Sequence, residues 1–480
     1  MDPIQITLAL LLFATVMFAW EKIPLAVTAI IVCLSLIVTG VLDAKTAFHG
    51  FVDSNVILFV GMFVVGGALF ETGMANRIGG LVMRFAKTER QLIIAIMLIT
   101  GLLSGLLSNT GTAAVLIPVV VGIANRSGFP RSRLLMPLVF ASSIGGNLTL
   151  IGSTGNLIAQ SALQSIGQEF HFFEYAKIGL PMLIVAILYF EFFGHKLIPT
   201  RGAATDADGA QAGTGQTAAA ATPATGVAAG DAPAGSKMPA GSDTASASPA
   251  RTTAPAGKAP ARKPVIAATA TPIAQTVSPW KQTMSLVILA GTVLGMVFER
   301  QLGVPLHVIA AIGAIVTVLT GVLTEKQAYK AIDSQTIFIF GGTLALATAL
   351  EKTGAGAAVA HTIIHMLGDT PSPVVLLIVI FGICSVLTNF MSNTATAALL
   401  VPIGLSIAES LNADPRAVLM AVVIGCSCAY ATPVGTPANT MVLVLGNYRF
   451  MDYVKAGVPL MLLMGAVSIP LLLFFFPFFP

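Results

Sequence analysis

The sequence predicts an all-α polytopic membrane protein, built as an inverted repeat of two five-helix units. Each unit is expected to contain a re-entrant hairpin and a broken helix. Two observations predict this fold. The 480 residues are 55% hydrophobic and only 10% charged, whereas soluble domains are about one quarter charged. The stretches "LLSNTGTAAVLIP" (106–118) and "FMSNTATAALLVP" (390–402) are also nearly the same, and each places a Ser-Asn-Thr triplet inside apolar sequence.

Composition excludes several classes of protein. The net charge is only +4, and no basic patch with interleaved aromatics predicts a nucleic-acid partner. The four cysteines lie in apolar stretches and predict no disulfide framework; they are Cys33, Cys384, Cys426 and Cys428. No Gly-x-Ser-x-Gly, His-Glu-x-x-His or paired-Asp motif occurs, so we do not expect an enzyme.

One segment differs from the rest of the chain. Residues 201–280 consist almost entirely of Ala, Gly, Pro, Ser and Thr. Such a segment has too little apolar bulk to offset the entropy of ordering, and this predicts a disordered linker. The linker separates a first membrane repeat (1–200) from a second one (281–480).

The two halves are similar beyond the triplets. The segment "GVLDAKTAFHGFVDSN" (40–55) matches "GVLTEKQAYKAIDSQ" (321–335), and "NLTLIGSTGNLI" (147–158) matches "YATPVGTPANTMV" (430–442). Corresponding residues stay about 280 positions apart. This constant spacing predicts an internal duplication, as in many transporters.

Apolar segments long enough to cross a bilayer occur five times in each half. The predicted crossings lie near 4–20, 23–42, 55–73, 134–165 and 176–197, and near 283–299, 303–323, 335–350, 417–444 and 456–479. Longer apolar stretches, 91–124 and 373–411, separate the third and fourth crossings and carry the triplets near their middles. Each stretch is either two crossings or one re-entrant hairpin.

Basic residues flank the first of these stretches on both sides. They are Arg77, Arg84, Lys87 and Arg90 before it, and Arg126, Arg131 and Arg133 after it. Basic loops stay cytoplasmic, so the chain enters and leaves on the same side. We favour the hairpin because the fourth crossing carries a second polar interruption. Because five is an odd number, the second half must be inverted relative to the first. With the basic loops inside, the linker lies in the cytoplasm and both termini lie outside.

The polar interruptions indicate the chemistry. Each half has a triplet and a break in its fourth crossing, "GGNLTLIGSTGN" (145–156) and "ATPVGTPAN" (431–439). Irregular backbone at membrane depth is tolerated only where it lines a protein-enclosed or watery site. Hydroxyls, amides and freed carbonyls suit sodium, whereas a divalent metal site would normally include carboxylates. Helix N-termini attract anions, so these elements predict a cation-coupled anion carrier.

A structural interpretation competes with this one, because Ser, Thr and Gly in membrane helices often serve only close packing. Duplication together with matched breaks favours the functional interpretation. Glu71 and Glu351 sit at helix ends and are expected to cap or snorkel. Glu409 is the one acidic residue that we keep as a candidate proton site.

Twin triplets on opposed hairpins, each followed by a Gly-Thr-Pro-x-Asn-like break, resemble the divalent anion/sodium symporter family of the ion transporter superfamily. The resemblance implies a homodimer whose protomers each have a scaffold and a transport part that moves as an elevator. It also implies two sodium sites and one anion site. The implied sodium ligands are Ser104, Ser108, Asn109 and Gly152 in the first site, and Thr388, Ser392, Asn393 and Gly435 in the second. The implied anion contacts are Asn109, Thr110, Ser153, Asn393, Thr394, Thr436 and Pro437.

The sequence therefore predicts a multi-pass protein of a bacterial-type inner membrane. Its expected function is sodium-driven transport of a small dianion, either a dicarboxylate such as succinate or sulfate. The first break lacks the prolines of dicarboxylate carriers, which leaves the anion open. The alternative is a sodium/proton antiporter or an oxyanion-efflux transporter of the same superfamily. An antiporter should show a membrane-embedded carboxylate near the breaks.

Overall fold

The protein is described by a computed structural model over residues 2–20, 22–75, 77, 88–200, 278–368 and 371–479. All regular structure in these ranges is helical, which confirms the predicted all-α class. The predicted linker lies outside the described residues, apart from its last three positions.

The first half begins with four helices and continues with five more after the undescribed residues 78–87. These are α1 (Pro3–Trp20), α2 (Leu25–Val38), α3 (Ala44–Phe48), α4 (Ser54–Glu71), α5 (Glu89–Ser104), α6 (Asn109–Ser127), α7 (Arg131–Gly145), α8 (Thr154–Ser165) and α9 (Ala176–Tyr189). A 3-10 turn joins α3 to α4, and a π-helical turn extends α9 toward Leu197.

The second half has a similar order and, among the described residues, one more numbered helix; a four-residue helix, Glu299–Leu302, lies between its first two. Its helices are α10 (Pro279–Val297), α11 (Leu306–Leu319), α12 (Glu325–Ala331), α13 (Ser334–Thr353), α14 (Ala355–Leu367), α15 (Pro373–Leu387), α16 (Asn393–Ser410), α17 (Pro415–Cys426), α18 (Pro437–Leu445) and α19 (Phe450–Phe475). The helix α14 lies between the third predicted crossing and the second apolar stretch and was not predicted. The short helices α3 and α12 also went unpredicted, since five and seven residues are too few for a clear apolar period.

Six helical segments of the described chain are long and apolar enough to cross a membrane. The helices α2 and α11 are shorter than the predicted crossings 23–42 and 303–323. Each has 14 residues, or about 21 Å at 1.5 Å per residue. Pro24 and Pro305 precede their first turns. Gly40 and Gly321 follow their last turns with φ of 73° and 70°, a left-handed conformation that ends a helix.

The centre of the protein is formed by α7 and α17, one from each half. Every residue of α17 except Arg416 is buried, and so is every residue of α7 except Arg131 and Arg133. The antiparallel pair α5–α6 packs on α7, and the pair α15–α16 packs on α17. The predicted fourth crossings, 134–165 and 417–444, each consist of two helices separated by a break: α7 and α8, then α17 and α18.

A cavity at four helix N-termini

The loops before α6, α8, α16 and α18 meet at one cavity of about 430 Å³. Most of the residues predicted for the two sodium sites and the anion site line it. These are Ser108, Asn109, Thr110, Gly152, Ser153, Ser392, Asn393, Thr394, Gly435, Thr436 and Pro437. Two complete crossings would place each triplet at the opposite surface of the membrane. Both hairpin turns lie instead at this shared cavity, which supports the hairpin interpretation.

Each triplet starts a helix at the cavity wall. The Ser108 Oγ accepts a hydrogen bond from the Gly111 backbone N–H at 3.2 Å. In the other hairpin, the Ser392 Oγ accepts from the Ala395 backbone N–H, also at 3.2 Å. A serine N-cap of this kind fixes the first turn. The serine of each triplet therefore orients the asparagine and threonine that follow it.

The first break is held open by an asparagine. The Asn156 Nδ2 donates to the Gly146 carbonyl at 2.9 Å and to the Thr149 carbonyl at 2.8 Å. The Thr149 hydroxyl donates in turn to the Gly105 carbonyl, in the hairpin turn. The Gly146 and Thr149 carbonyls belong to the irregular segment between α7 and α8. The side chain of Asn156 thus supplies donors that a continuous helix would have provided.

The second break has the same brace. The Asn439 Nδ2 donates to the Ala429 carbonyl at 2.8 Å and to the Thr432 carbonyl at 3.0 Å. The Thr432 hydroxyl donates to the Asn389 carbonyl of its own hairpin turn at 2.5 Å. Sequence analysis did not assign a role to these two asparagines. Each of them is the last residue of its break motif, and this shared position could have indicated their role.

Peptide dipoles dominate the electrostatics of the cavity. The four helices named above begin at its wall, as do α2 with Leu25 and α13 with Asp333 and Gln335. A helix N-terminus carries about half a positive charge. Among the described residues that line the cavity, Asp333 alone bears a formal charge. A small anion can therefore be held by backbone N–H groups and neutral donors without a basic side chain.

Oxygen atoms are crowded beside the first hairpin turn. One atom of the Asn109 side-chain amide lies 2.7 Å from the Ser104 Oγ, 3.2 Å from the Ser142 carbonyl and 3.1 Å from the Gly152 carbonyl. With its nitrogen inward, the amide donates to these oxygens. With its oxygen inward, four oxygens share the single proton of Ser104, and a cation is what would neutralise them. The donor set, all neutral oxygen, fits sodium.

The second hairpin turn repeats this arrangement. The Thr388 Oγ1 lies 2.7 Å from the Asn393 Oδ1 and 2.6 Å from the Cys426 carbonyl. A hydroxyl has one proton and can donate to only one of these oxygens. Gly435 lies directly beside them, since a Cβ on it would come within 3.0 Å of the Thr388 carbonyl. This cluster fits a cation in the same way.

Two predicted sodium ligands do not line the cavity. Ser104 and Thr388 are fully buried behind Asn109 and Asn393 and reach the site through these side chains. Ser142 was missed although its Oγ donates to the Asn109 carbonyl at 2.6 Å. Its position on a buried helix outside both motifs gave no signal in the sequence.

The wall opposite the hairpin turns was also missed. It consists of apolar side chains of α4 and of both polar and apolar side chains at the start of α13. Its members are Phe59, Met62, Phe63, Gln335, Thr336 and Ile339. Glu409 does not line this cavity. It lies with Glu351 in a separate crevice of about 60 Å³ between α8, α13 and α16.

The fold and the cavity define a multi-pass membrane transporter. The sequence profile of the citrate transporter family (CitMHS) matches residues 15–408 and 394–479. The chain belongs to this family, within the ion transporter superfamily that the motifs resemble. Its relatives are transporters and not enzymes.

Three comparisons illustrate the relationship. The uncharacterized transporter YfbS of Escherichia coli is 26% identical, over 98% of this chain and 99% of that protein. The sodium-dependent dicarboxylate transporter SdcS of Staphylococcus saprophyticus is 23% identical, over 98% of this chain and 86% of that protein. The crystal structure of the Alcanivorax borkumensis YdaH transporter has a TM-score of 0.59 at 15% identity, with 98% of both chains covered. The last comparison supports the fold.

Proposed function

We propose that this protein couples sodium to the transport of a small divalent anion, a dicarboxylate such as succinate or sulfate. The observation that carries the proposal is the meeting of four helix N-termini at one cavity, between two clusters of neutral oxygens. The relatives named sodium-dependent dicarboxylate transporters support the same assignment.

The anion sits between the two triplets. Asn109 and Thr110 face it from the first hairpin, Asn393 and Thr394 from the second. Ser153, Thr436 and Pro437 complete the seat at the starts of α8 and α18. A bare dianion has no basic side chain to neutralise it here. Cations at the two oxygen clusters supply positive charge a few ångströms away, which couples their binding to that of the anion.

The first sodium ion is held by Ser104, Ser108, Asn109 and Gly152, and the second by Thr388, Ser392, Asn393 and Gly435. The oxygen crowding described above supports both sets. When bound, sodium supplies positive charge and fixes the inward orientation of the asparagine oxygens. The chain itself supplies the serine caps and the braced breaks that hold these oxygens in place.

The protein works as a homodimer in which a transport part slides against a scaffold. The transport part comprises α5–α9 and α15–α19, whose members pack mainly on one another. The scaffold comprises α1–α4 and α10–α13, where α4 packs on α11 and α2 packs on α13. The second repeat is inverted in the plasma membrane, with the linker in the cytoplasm and both termini outside.

Uptake by proteoliposomes tests the function. Purified protein should accumulate labelled succinate or sulfate when an inward sodium gradient is imposed, and a potassium gradient should give background uptake. Sodium movement driven by a proton gradient, without uptake of either anion, would favour the antiporter alternative. Uptake of neither anion under any gradient would overturn the proposal.

A further inference from the structure

The start of α4 is hydrogen bonded to the end of α8. The Asn55 Nδ2 donates to the Ser161 Oγ at 2.7 Å and to the Gln164 Oε1 at 2.9 Å. Asp53, the N-cap of α4, accepts from the Asn55 backbone N–H at 2.8 Å. Its Oδ1 also lies 2.9 Å from the Asn55 Nδ2, whose two protons are therefore shared among three acceptors. Asn55 is only 3% exposed. We call the four residues Asp53, Asn55, Ser161 and Gln164 the α4–α8 latch.

This latch joins the scaffold to the transport part at a distance from the cavity. The helix α8 begins at the cavity wall with Thr154 and ends with Ser165. Its 12 residues span about 18 Å, and the latch lies in its last two turns. Asp333, Gln335 and Thr336, at the start of α13, line the cavity. The latch is therefore at the opposite end of α8 from the cavity.

The repeat provides an internal comparison. Gln335 occupies the place in α13 that Asn55 occupies in α4, two residues after the capping aspartate. Val444 occupies the place in α18 that Ser161 occupies in α8, seven residues after the first helical residue. Ser161 is 5% exposed, whereas Val444 is 82% exposed, and Gln335 is exposed and lines the cavity.

Two equivalent places in the repeat therefore have opposite environments. The contact between α4 and α8 is made, and the matching contact between α13 and α18 is not. An inverted repeat that alternates between two states exchanges the environments of its halves. In this structure the start of α13 lines the cavity through Gln335, whereas the start of α4 is hydrogen bonded through Asn55 to the end of α8.

We propose that the α4–α8 latch stabilises the state in which the cavity opens beside α13, and that it must break before the cavity opens beside α4. In that second state, Gln335 makes the matching contact with the end of α18. The inference rests on the proposed sliding of the transport part. It adds the hydrogen bonds that set the balance between the two states.

Cysteine labelling tests this in the full-length protein in detergent. Ala162→Cys reports on the crevice between α8, α13 and α16, because Ala162 lines it and is 9% exposed. Ala331→Cys reports on the cavity itself, because Ala331 lines it and is only partly buried. The native cysteines are buried, so a hydrophilic maleimide should label them slowly; the parent protein gives that background.

Asn55→Leu removes the latch donor but keeps the shape of the side chain. Losing two buried hydrogen bonds should shift the equilibrium about tenfold. The labelling rate at Ala162→Cys should therefore rise about tenfold, and the rate at Ala331→Cys should fall. Ser161→Ala, a milder change, should move both rates in the same directions by a smaller factor. The matched variant Gln335→Ala should leave labelling at Ala162→Cys unchanged or slower.

Unchanged rates at both reporters would overturn the inference. A rise at both reporters, for Asn55→Leu and for Ser161→Ala alike, would also overturn it, because it would mean a loosened fold. Labelling requires no transported anion. These outcomes are therefore independent of whether succinate or sulfate is carried.

Discussion

The Ser427 hydroxyl donates a hydrogen bond to the Asn147 side-chain oxygen across 3.0 Å, and both residues are buried. Asn147 follows the end of α7 and Ser427 follows the end of α17. The bond thus joins the two central helices, which come from different halves of the chain, at the point where each of them breaks. It helps the two broken helices to behave as one body.

Ser427→Ala should lower the thermal stability of the protein. The Asn147 Nδ2 has no partner among the described residues, so the variant leaves the whole buried amide without one there, at a cost of about 1–3 kcal/mol. The double variant Ser427→Ala/Asn147→Leu should recover part of this loss, because it also removes the unpaired amide, and a double-mutant cycle measures the coupling between the two residues. Ser410→Ala is the control, since its hydroxyl bonds only to the Ser406 carbonyl of its own helix at 2.7 Å. Equal melting temperatures for Ser427→Ala and the parent would contradict this role.

Asn109→Ala and Asn393→Ala should each reduce sodium-driven uptake by about ten- to hundredfold, because each loses a hydrogen bond to a charged group. Both variants should elute as folded protein in size-exclusion chromatography. Asn125→Ala is the matched control on α6. Asn125 accepts hydrogen bonds from Arg131 at the far end of that helix and does not line the cavity. Normal uptake with unchanged sodium dependence in either site variant would show that the assigned sites are wrong.

Thr154→Pro should weaken the binding of sulfate more than that of succinate. Thr154 is the first residue of α8 and lines the cavity, at the place that Pro437 occupies in α18. Proline is tolerated at a first helical position, so the change removes an N–H without breaking the helix. A tetrahedral anion needs partners for all its oxygens and should lose about tenfold or more in affinity.

Competition of each unlabelled anion against uptake measures this difference. Thr154→Ala keeps the N–H and loses only the hydroxyl, so it separates the two donors. An equal loss for both anions in Thr154→Pro would mean that the first break supports the site without selecting its substrate.

Gly179→Ala and Gly457→Ala should both destabilise the protein. A Cβ on Gly179, in α9, would overlap the Asn147 carbonyl, and a Cβ on Gly457, in α19, would overlap the Tyr430 carbonyl. Displacing these backbone atoms should cost about 1–3 kcal/mol or more. Gly122→Ala is the control, because nothing lies within 4 Å of its Cβ position. Thermal unfolding followed by light scattering checks the order of the three variants, and a control that melts lowest would contradict the prediction.

The proposed orientation predicts the pattern of thiol labelling in intact cells. Ser236→Cys, in the linker, should be protected from an impermeant reagent until the membrane is opened. Asn412→Cys should react at once, because Asn412 is exposed in the turn after α16. The reverse pattern would invert the topology. Deleting most of the linker should leave transport nearly intact, since a segment of this composition only has to span the gap between the two halves.

The parts of the fold that the sequence predicts are those with a local signal. The triplets and the breaks are identifiable because small polar residues interrupt apolar runs, and the repeat pairs Asn109 with Asn393. The ends of α2 depend on Pro24 and Gly40, which a hydropathy window averages away. The cavity wall formed by Phe59 and Gln335 depends on packing between distant segments. No pattern along either helix distinguishes these two residues from those that face lipid.

The cavity formed by helix N-termini has a consequence for how the protein responds to acidity. Peptide N–H groups, hydroxyls and amides do not change their protonation over the physiological range, and Asp333 is the one ionisable group among the described lining residues. The affinity of the seat should therefore follow the ionisation of the ligand. A dicarboxylate gains a proton below neutral pH and would then bind less tightly. Sulfate keeps both charges, so its affinity should be the same at neutral pH and below it. The ratio of dicarboxylate uptake to sulfate uptake should therefore fall as the pH falls on the side from which the anion enters.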